Sequence, residues 1–467
     1  MPDRRNLKSL DRLDAPDLWP EIEGREPGRP VSLAPSPLRR VGTALLALAI
    51  AAGAITLAVV AFGGGKGSAP VATSPFAPET TSAVPRPENG DVLVYARPGP
   101  DETVQLFVVP ADGGEPRQLT HVDGTVVRAA VSPDGSLVAY AAAVEHGADV
   151  RTIRWDGTDD RLVCAGCANY TAFAGSGGES GISVGDRTNA FAFLPDGRLV
   201  VALFDASGVA IREGDRVIAS AAGERGTLDS EIAIAPDGSS VVWRRQHPGT
   251  KPADARPDLD GLYLLDAATG ETRQLTSQDG PPFTYDPDSE PAWTPEGQWI
   301  AFVRGIASFG PGGLETGRTY GIWVVRPDGS DMHAVTTTKS ETVYPMTPAW
   351  SPDGRSIAYV VVDRGRTEVH AIEADGTGDR TGVSFSCPDA DTACGPARGS
   401  LSWSPDGTSL LFGIEETVQA PADSYVLPSG TYVVNANGSA LHQVGASLGD
   451  SRPVGWAPAA PEPTAGS

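Results

Sequence analysis

The stretch "AWSPDGRSIAY", residues 349–359, decides how this 467-residue chain is read. It returns as "AWTPEGQWIAF" at 292–302 and as "SWSPDGTSLLF" at 402–412. A small residue and a tryptophan precede a polar turn, and an apolar strand follows it. Proline at the first central position, with glycine closing the turn, is β-turn chemistry. Neighbouring residues of a strand face opposite sides, so the strand before the turn has one bulky face and one nearly flat face. Stacking such strands sets bulk against flatness, a route to dense packing.

Outward from this unit, seven copies align on the proline of the turn: Pro133, Pro195, Pro236, Pro295, Pro352, Pro405 and, degraded, Pro458. Two residues earlier stand Val131, Phe193, Ile234, Trp293, Trp350, Trp403 and Trp456, all large and apolar. Three residues earlier stand Ala130, Ala192, Ala233, Ala292, Ala349, Ser402 and Gly455, all small. A second strand follows the turn and ends in Tyr140, Trp243, Phe302, Tyr359 or Phe412. A third resembles "GIWVVRPDGS" at 321–330, and a short fourth reads "RQLT" at 117–120 and again at 273–276. Four antiparallel strands repeated every ~40–60 residues predict the blades of a β-propeller.

The ends complete the pattern. Residues 89–95, "NGDVLVY", match the turn and second strand but lack a first strand, while "SRPVGWAP", 451–458, is a first strand with nothing after it. Joined, they make one blade. The predicted fold is therefore all-β: a seven-bladed β-propeller of four-stranded antiparallel blades closed by the C-terminal strand. Closure removes exposed strand edges. Six or eight blades are the alternatives if the weak second or third copy is misread.

The "WSPDG…IAF/IAY" units resemble TolB-type, WD-like β-propeller repeats over about residues 89–458, here in a membrane-anchored bacterial chain. The resemblance implies a protein-binding scaffold or sensor rather than an enzyme, although a fold by itself does not specify function. TolB is periplasmic; this chain departs from it by its anchor and its long loops, so TolB's partners are not carried over.

That anchor lies at the N-terminal end. Residues 1–40 are polar and end in Arg39 and Arg40, and are read as a cytoplasmic, largely disordered tail. The 22 residues from Val41 to Phe62 carry no charge. At about 1.5 Å per residue they span about 33 Å, enough for one transmembrane helix. Positive charge precedes the stretch, which puts the N-terminus in the cytoplasm and the propeller outside a single-pass membrane anchor. A cleaved signal peptide is the rival reading. Residues 63–88 are a flexible Gly/Pro/Ser-rich tether, and 459–467 a disordered tail. Leu7, Leu10, Leu13, Leu18, Trp19 and Ile22 could line a short element that folds on a cytoplasmic partner, with an unstructured tail as the alternative. The net charge of −23 argues against a nucleic-acid partner, because phosphates would be repelled.

Every long insertion falls on one side of the predicted wheel: 165–190, 245–260, 277–290, 303–320, 384–400 and 414–430. Long loops on a rigid frame commonly carry function, so this face is expected to bind a protein or envelope ligand. Five residues before each proline, Arg128, Ala190, Glu231, Glu290, Thr347, Ser400 and Pro453 ring the channel mouth. A repeated "DSE" at 229–231 and 288–290 adds further carboxylates. The candidate ligand-binding residues are Arg128, Asp229, Glu231, Tyr285, Asp286, Asp288, Glu290 and Tyr344. The acids suit a cation or a basic peptide, and the aromatics suit an anchored partner. The competing reading is that the acids satisfy backbone donors and the aromatics pin their own loops.

Disulfides are expected outside the membrane, preferably the local pairs Cys164–Cys167 and Cys387–Cys394, because the two pairs belong to non-neighbouring blades. A redox "CAGC" pair and a zinc site across both pairs are the alternatives. "GISVG" at 181–185 and "GASLG" at 445–449 match a hydrolase elbow by spacing alone, without its strand–turn–helix setting. No catalytic residue, metal or cofactor is expected. The competing function is a hydrolase or lyase at the channel mouth, which three or more converging His, Asp, Glu or Arg side chains would favour.

Overall fold

The alternation of small and bulky residues carries through into seven antiparallel sheets. The structure is a computed structural model that describes residues 91–457 except 99–102, 112–113, 133, 146, 169–188, 195, 206–207, 225–226, 248–255, 278–287, 311–314, 339–341, 365, 387–400, 415–417, 420–425, 428–429 and 445–451. The predicted cytoplasmic tail, transmembrane stretch, tether and C-terminal tail lie outside the described residues. Among the described residues no helix is long and apolar enough to cross a membrane.

Blade 1 combines Val92–Pro98, Val104–Pro110 and Arg117–Gln118 with the last strand of the chain, Arg452–Ala457. The closing pairs run from Val92↔Ala457 and Leu93↔Trp456 to Ala96↔Arg452. Blades 2 to 7 follow in order, each opened by an inner strand: Val126–Val131, Asn189–Phe193, Leu228–Ile234, Ser289–Trp293, Val343–Trp350 and Ser402–Trp403. The described blades number seven, and their edges meet as the terminal half-repeats predict.

Seven apolar clusters fill the seven gaps between neighbouring blades. Alternate residues of one strand enter different gaps, as strand pleating requires. Val241 and Trp243 of blade 4 pack toward blade 3, and Val242 between them packs toward blade 5. The gap that joins the two ends of the chain is filled by Leu93, Tyr95 and Trp456 of blade 1 against Leu411 and Val433 of blade 7.

The paired small and large residues of the repeat have a specific task. The indole N–H of Trp293 donates to the carbonyl of Ala233 in the preceding blade at 3.3 Å, Trp350 to Ala292 at 3.2 Å, and Trp403 to Ala349 at 3.0 Å. A larger residue at the alanine position would hold the indole away. The recurrent "RQLT" works similarly on the outside of the wheel. The Arg117 guanidinium donates to the Trp155 carbonyl of blade 2 and Arg273 to Pro327 of blade 5, and Arg380, at the start of the outer strand of blade 6 and outside any "RQLT", reaches Ala436 of blade 7 in the same way. The Leu119 and Leu275 side chains are buried, and the Thr120 and Thr276 hydroxyls accept from the third-strand amides of Leu106 and Leu262.

The turn itself is a closed hydrogen-bond unit. In blade 6 the Ser351 hydroxyl donates to Asp353 at 2.6 Å and accepts from the Ser356 amide at 2.9 Å. Gly354 closes it at φ +67°, a conformation that L side chains rarely adopt.

Two stretches expected as loops are partly strands. Within 303–320 the second and third strands of blade 5 run on as Ile300–Phe309 and Glu315–Val325, paired as far as Phe309↔Glu315. This makes a projecting two-stranded arm. Within 414–430, Val418–Gln419 and Val426–Leu427 form a small hairpin. It joins the outer strand of blade 6, Arg380–Ser386, through Ser386↔Gln419 and extends that sheet to six strands. Strand pairing continues past the repeat wherever backbone partners are available, and the length of the repeat unit does not reveal it.

Blades 2 and 6 carry the same outer triad. The Tyr140 hydroxyl donates to Asp160 at 2.9 Å and Arg151 donates to the same carboxylate at 3.0 Å. In blade 6 the Tyr359 hydroxyl donates to Asp379 at 2.9 Å, and His370 takes the place of the arginine, 3.1 Å from both Asp379 and Glu368. Burial alone would lower the His370 pKa, but the hydrogen bonds to Asp379 and Glu368 outweigh it and hold the group above its ordinary 6.5. The stabilisation from charged His370 is therefore full below its ordinary pKa and lost as pH rises through the raised value.

Two predictions follow from these packing devices. Trp350→Ala empties a buried inter-blade position and should destabilise the propeller by about 3–5 kcal/mol in chemical denaturation; an unchanged midpoint would contradict the inter-blade placement. His370→Arg reproduces the blade 2 triad with a cation that does not titrate. It should flatten the fall in stability that begins as pH rises past about 6.5, the ordinary histidine value, which melting curves recorded at a series of rising pH values would detect.

Candidate functional site

Inner strands bring the predicted mouth residues together. A cavity of about 270 Å³ in the central channel is lined by Arg128 of blade 2, Ala190 of blade 3, Glu231 of blade 4, Glu290 of blade 5 and Thr347 of blade 6. These are five of the seven positions that the repeat alignment places on the ring, and Leu401 of blade 7 joins them. Three of the five share one unusual backbone state. Glu231, Glu290 and Thr347 have φ of 55°, 57° and 51°, the left-handed region. A register shift occurs in each of their strands, between Ser230 and Ala233, Ser289 and Ala292, and Met346 and Ala349. A bulge of this kind re-aims side chains, here toward the channel.

The two glutamates also tie blade to blade. The Glu290 amide donates to the Glu231 carboxylate at 2.6 Å, and the Thr347 amide donates to the Glu290 carboxylate at 2.5 Å. Each carboxylate thus reaches across one gap and accepts a backbone N–H that the bulge has removed from the strand ladder. The other Glu231 oxygen lies 3.5 Å from Arg244. Carboxylates serving backbone donors were one of the two readings the residue types allowed, and the geometry contains it.

The aspartates of the repeated "DSE" go elsewhere. Asp229 accepts a two-pronged bond from Arg245 at 2.7 and 2.8 Å. Asp288, fully buried, accepts the same from Arg304 at 2.8 and 2.6 Å. Arg245 lies over the rings of Trp243 and Tyr263, and Arg304 over Phe302 and Trp323. Neither aspartate lines the cavity. Such forked pairs give geometric specificity, and removing one partner would leave an uncompensated buried charge. Tyr344 also stands off the lining. It meets Tyr320 of the blade 5 arm edge-on, ring centroids 4.6 Å apart, and braces the base of that arm. Tyr285 and Asp286 lie outside the described residues.

The residue types alone did not single out two members of the site. Thr347 is 4% exposed and lines the cavity, and its hydroxyl has no hydrogen-bond partner among the described residues. Its position on the ring was the available signal. Arg244 had none, because sequence spacing does not show which face of its strand meets Glu231. Among the described residues no three His, Cys, Asp or Glu side chains are grouped to hold a metal ion. Cys164 and Cys167 form one of the two expected disulfides, while Cys387 and Cys394 lie outside the described residues.

No protein-family model matches the chain, and no curated protein sequence matches it either. Solved structures do. An oligogalacturonate lyase from Vibrio parahaemolyticus is 14% identical, covers 76% of this chain and 85% of its own, and superposes with a TM-score of 0.45. TolB from Acinetobacter baumannii is 16% identical over 62% of each chain, with a TM-score of 0.37. A puromycin-hydrolysing peptidase from Mycobacterium tuberculosis is 14% identical, covers 69% of this chain and 54% of its own, with a TM-score of 0.43. These likenesses concern the fold alone. They nonetheless correct one expectation: the similar propellers include a lyase and a peptidase as well as TolB, so resemblance to TolB does not make this chain a non-enzyme. The chain is a β-propeller whose described residues form seven blades of antiparallel strands.

Proposed function

We propose that this propeller is a binding module on the outer side of a cell membrane, held there by residues 41–62, with its N-terminus in the cytoplasm. Its ligand, a protein or another component of the envelope, docks on the long-insertion face. The observation that carries this reading is the convergence of Arg128, Glu231, Glu290 and Thr347 on one cavity in the central channel. The blade 5 arm and the blade 7 hairpin arise from the connections that open on this same face. A rigid wheel with projecting strands around a polar mouth presents a broad recognition surface. The net charge of −23 supports a partner other than nucleic acid. A cytoplasmic partner for residues 1–40 belongs to the same proposal.

A second reading has a specific observation behind it. One guanidinium and two carboxylates around a cavity could also serve an enzyme at the channel mouth.

The test is partner capture with the full-length chain, compared with a variant in which residues 305–320 are replaced by a tight turn. The reading expects a partner that the intact chain retains and the armless variant loses. A partner held equally by both, or turnover of a small molecule that the armless variant performs undiminished, would move the function away from the arm.

A further inference from the structure

We propose that the Cys164–Cys167 disulfide of blade 2 is a thiol–disulfide exchange site, and that its substrate is a dithiol on another protein. A staple of the fold would tie separate elements together. Here both sulfurs belong to one strand, three positions apart, so the bridge joins nothing further to the blade. Closing so short a loop removes little freedom from the unfolded chain. The strand in question, Arg161–Ala168, is the outermost of its blade, where a partner chain can lie alongside.

The backbone presents the pair outward. Val150 pairs with Cys164 and Ala148 with Ala168, so Asp149 alone faces the stretch from Ala165 to Cys167, which bows out of the sheet. The Asp149 carboxylate accepts the Gly166 amide at 2.8 Å, and Gly166 turns the chain at φ 57°. Neither contact uses a sulfur, so both thiols stay in place once the bridge opens. Cys164 is 3% exposed and belongs to the apolar cluster that Phe193 and Leu199 of blade 3 complete. Cys167 is half-buried beside the exposed Ala165 and Gly166. An incoming thiolate therefore meets Cys167 first. It bonds to the Cys167 sulfur, the bridge breaks, and Cys164 leaves as a thiolate. The partner's second thiolate then attacks the partner's own sulfur in the mixed disulfide, and Cys167 leaves in turn. The partner ends as a disulfide; the propeller has gained two electrons and takes up the two protons that the partner's thiols released.

A thiolate leaving into an apolar gap is helped by a nearby cation, and blade 3 supplies one. Arg212, in the third strand Gly208–Glu213, pairs with Val201, and directly opposed residues share a face of the sheet. Val201 lies in the same inter-blade cluster as Cys164. The turn after Arg212 also meets the cysteine strand: a Cβ at Gly214 would stand 3.6 Å from the Val163 carbonyl oxygen. Arg212 is half-buried, and its Nε is buried without a hydrogen-bond partner among the described residues. Buried donors are ordinarily bonded, and the reduced state of the pair offers this one an anion. Arg212 acts through Cys164 and takes no part in the exchange itself.

Alkylation of the full-length chain in mixtures of reduced and oxidised glutathione, read fragment by fragment by mass spectrometry, tests this. Structural bridges resist reduction by glutathione. The fragment carrying Cys164 and Cys167 should become a dithiol while the chain stays folded by circular dichroism, and should return to the disulfide as oxidised glutathione is restored. Cys164→Ser should form a mixed disulfide with oxidised glutathione at Cys167 about tenfold or more faster than Cys167→Ser does at Cys164. Arg212→Gln should move the exchange constant toward the disulfide by about threefold or more, and Arg212→Lys should restore most of it. A pair that stays oxidised in glutathione until the chain is denatured overturns the proposal, as do equal rates for the two serine variants. The first measurement needs no altered protein, so its result does not depend on how well a variant folds. Capture of a partner through the blade 5 arm is a separate outcome and bears only on the binding reading.

Discussion

Five residue pairs between Val92–Ala96 and Arg452–Ala457 join the two ends of the folded wheel, and the rest of the molecule depends on them. Without that pairing, blade 1 has three strands and the gap between blades 7 and 1 loses Trp456 from its core. A ring also makes every blade depend on two neighbours, so an opening at one gap relaxes the others. Burying a tryptophan of this kind contributes on the order of 3 kcal/mol. Each gap repeats the device with local variations, and closure turns seven moderate interfaces into one cooperative object.

Three concentric sets of ties cross these gaps. Near the channel, Glu231 and Glu290 reach the next blade's backbone. In the middle, tryptophan indoles reach back to alanine carbonyls. On the outside, Arg117, Arg273 and Arg380 reach forward to the turns of the following blades. The inner set doubles as the lining of the cavity. The residues that hold the mouth in shape are the residues a ligand would meet, which favours a preorganised site over one that forms on binding. The buried Asp229–Arg245 and Asp288–Arg304 pairs support this arrangement from behind, in two successive blades.

Much of this was legible in the residues. The period, the turn, the small-before-large rule and the split terminal blade all follow from steric demands that act within a few positions of the chain. The ring of mouth positions was legible too, because a repeat places equivalent residues at equivalent radii. What the mouth residues do was not. Asp229 and Asp288 look like further mouth acids until Arg245 and Arg304 are seen beside them, each sixteen positions later on a neighbouring strand. The recurrence of that spacing in two blades was the available clue. The arm within 303–320 was hidden for a different reason: strand continuation depends on two segments meeting, and neither segment announces it alone.

Hydrogen exchange of the full-length chain, resolved to individual segments, tests closure most directly. The account predicts that amides of 452–457 and of 92–96 exchange slowly and together, at rates like those of the central strands of blade 6. Rapid exchange at 452–457 beside a protected blade 6 would show an open wheel, and the seven-bladed ring with its shared mouth would be wrong.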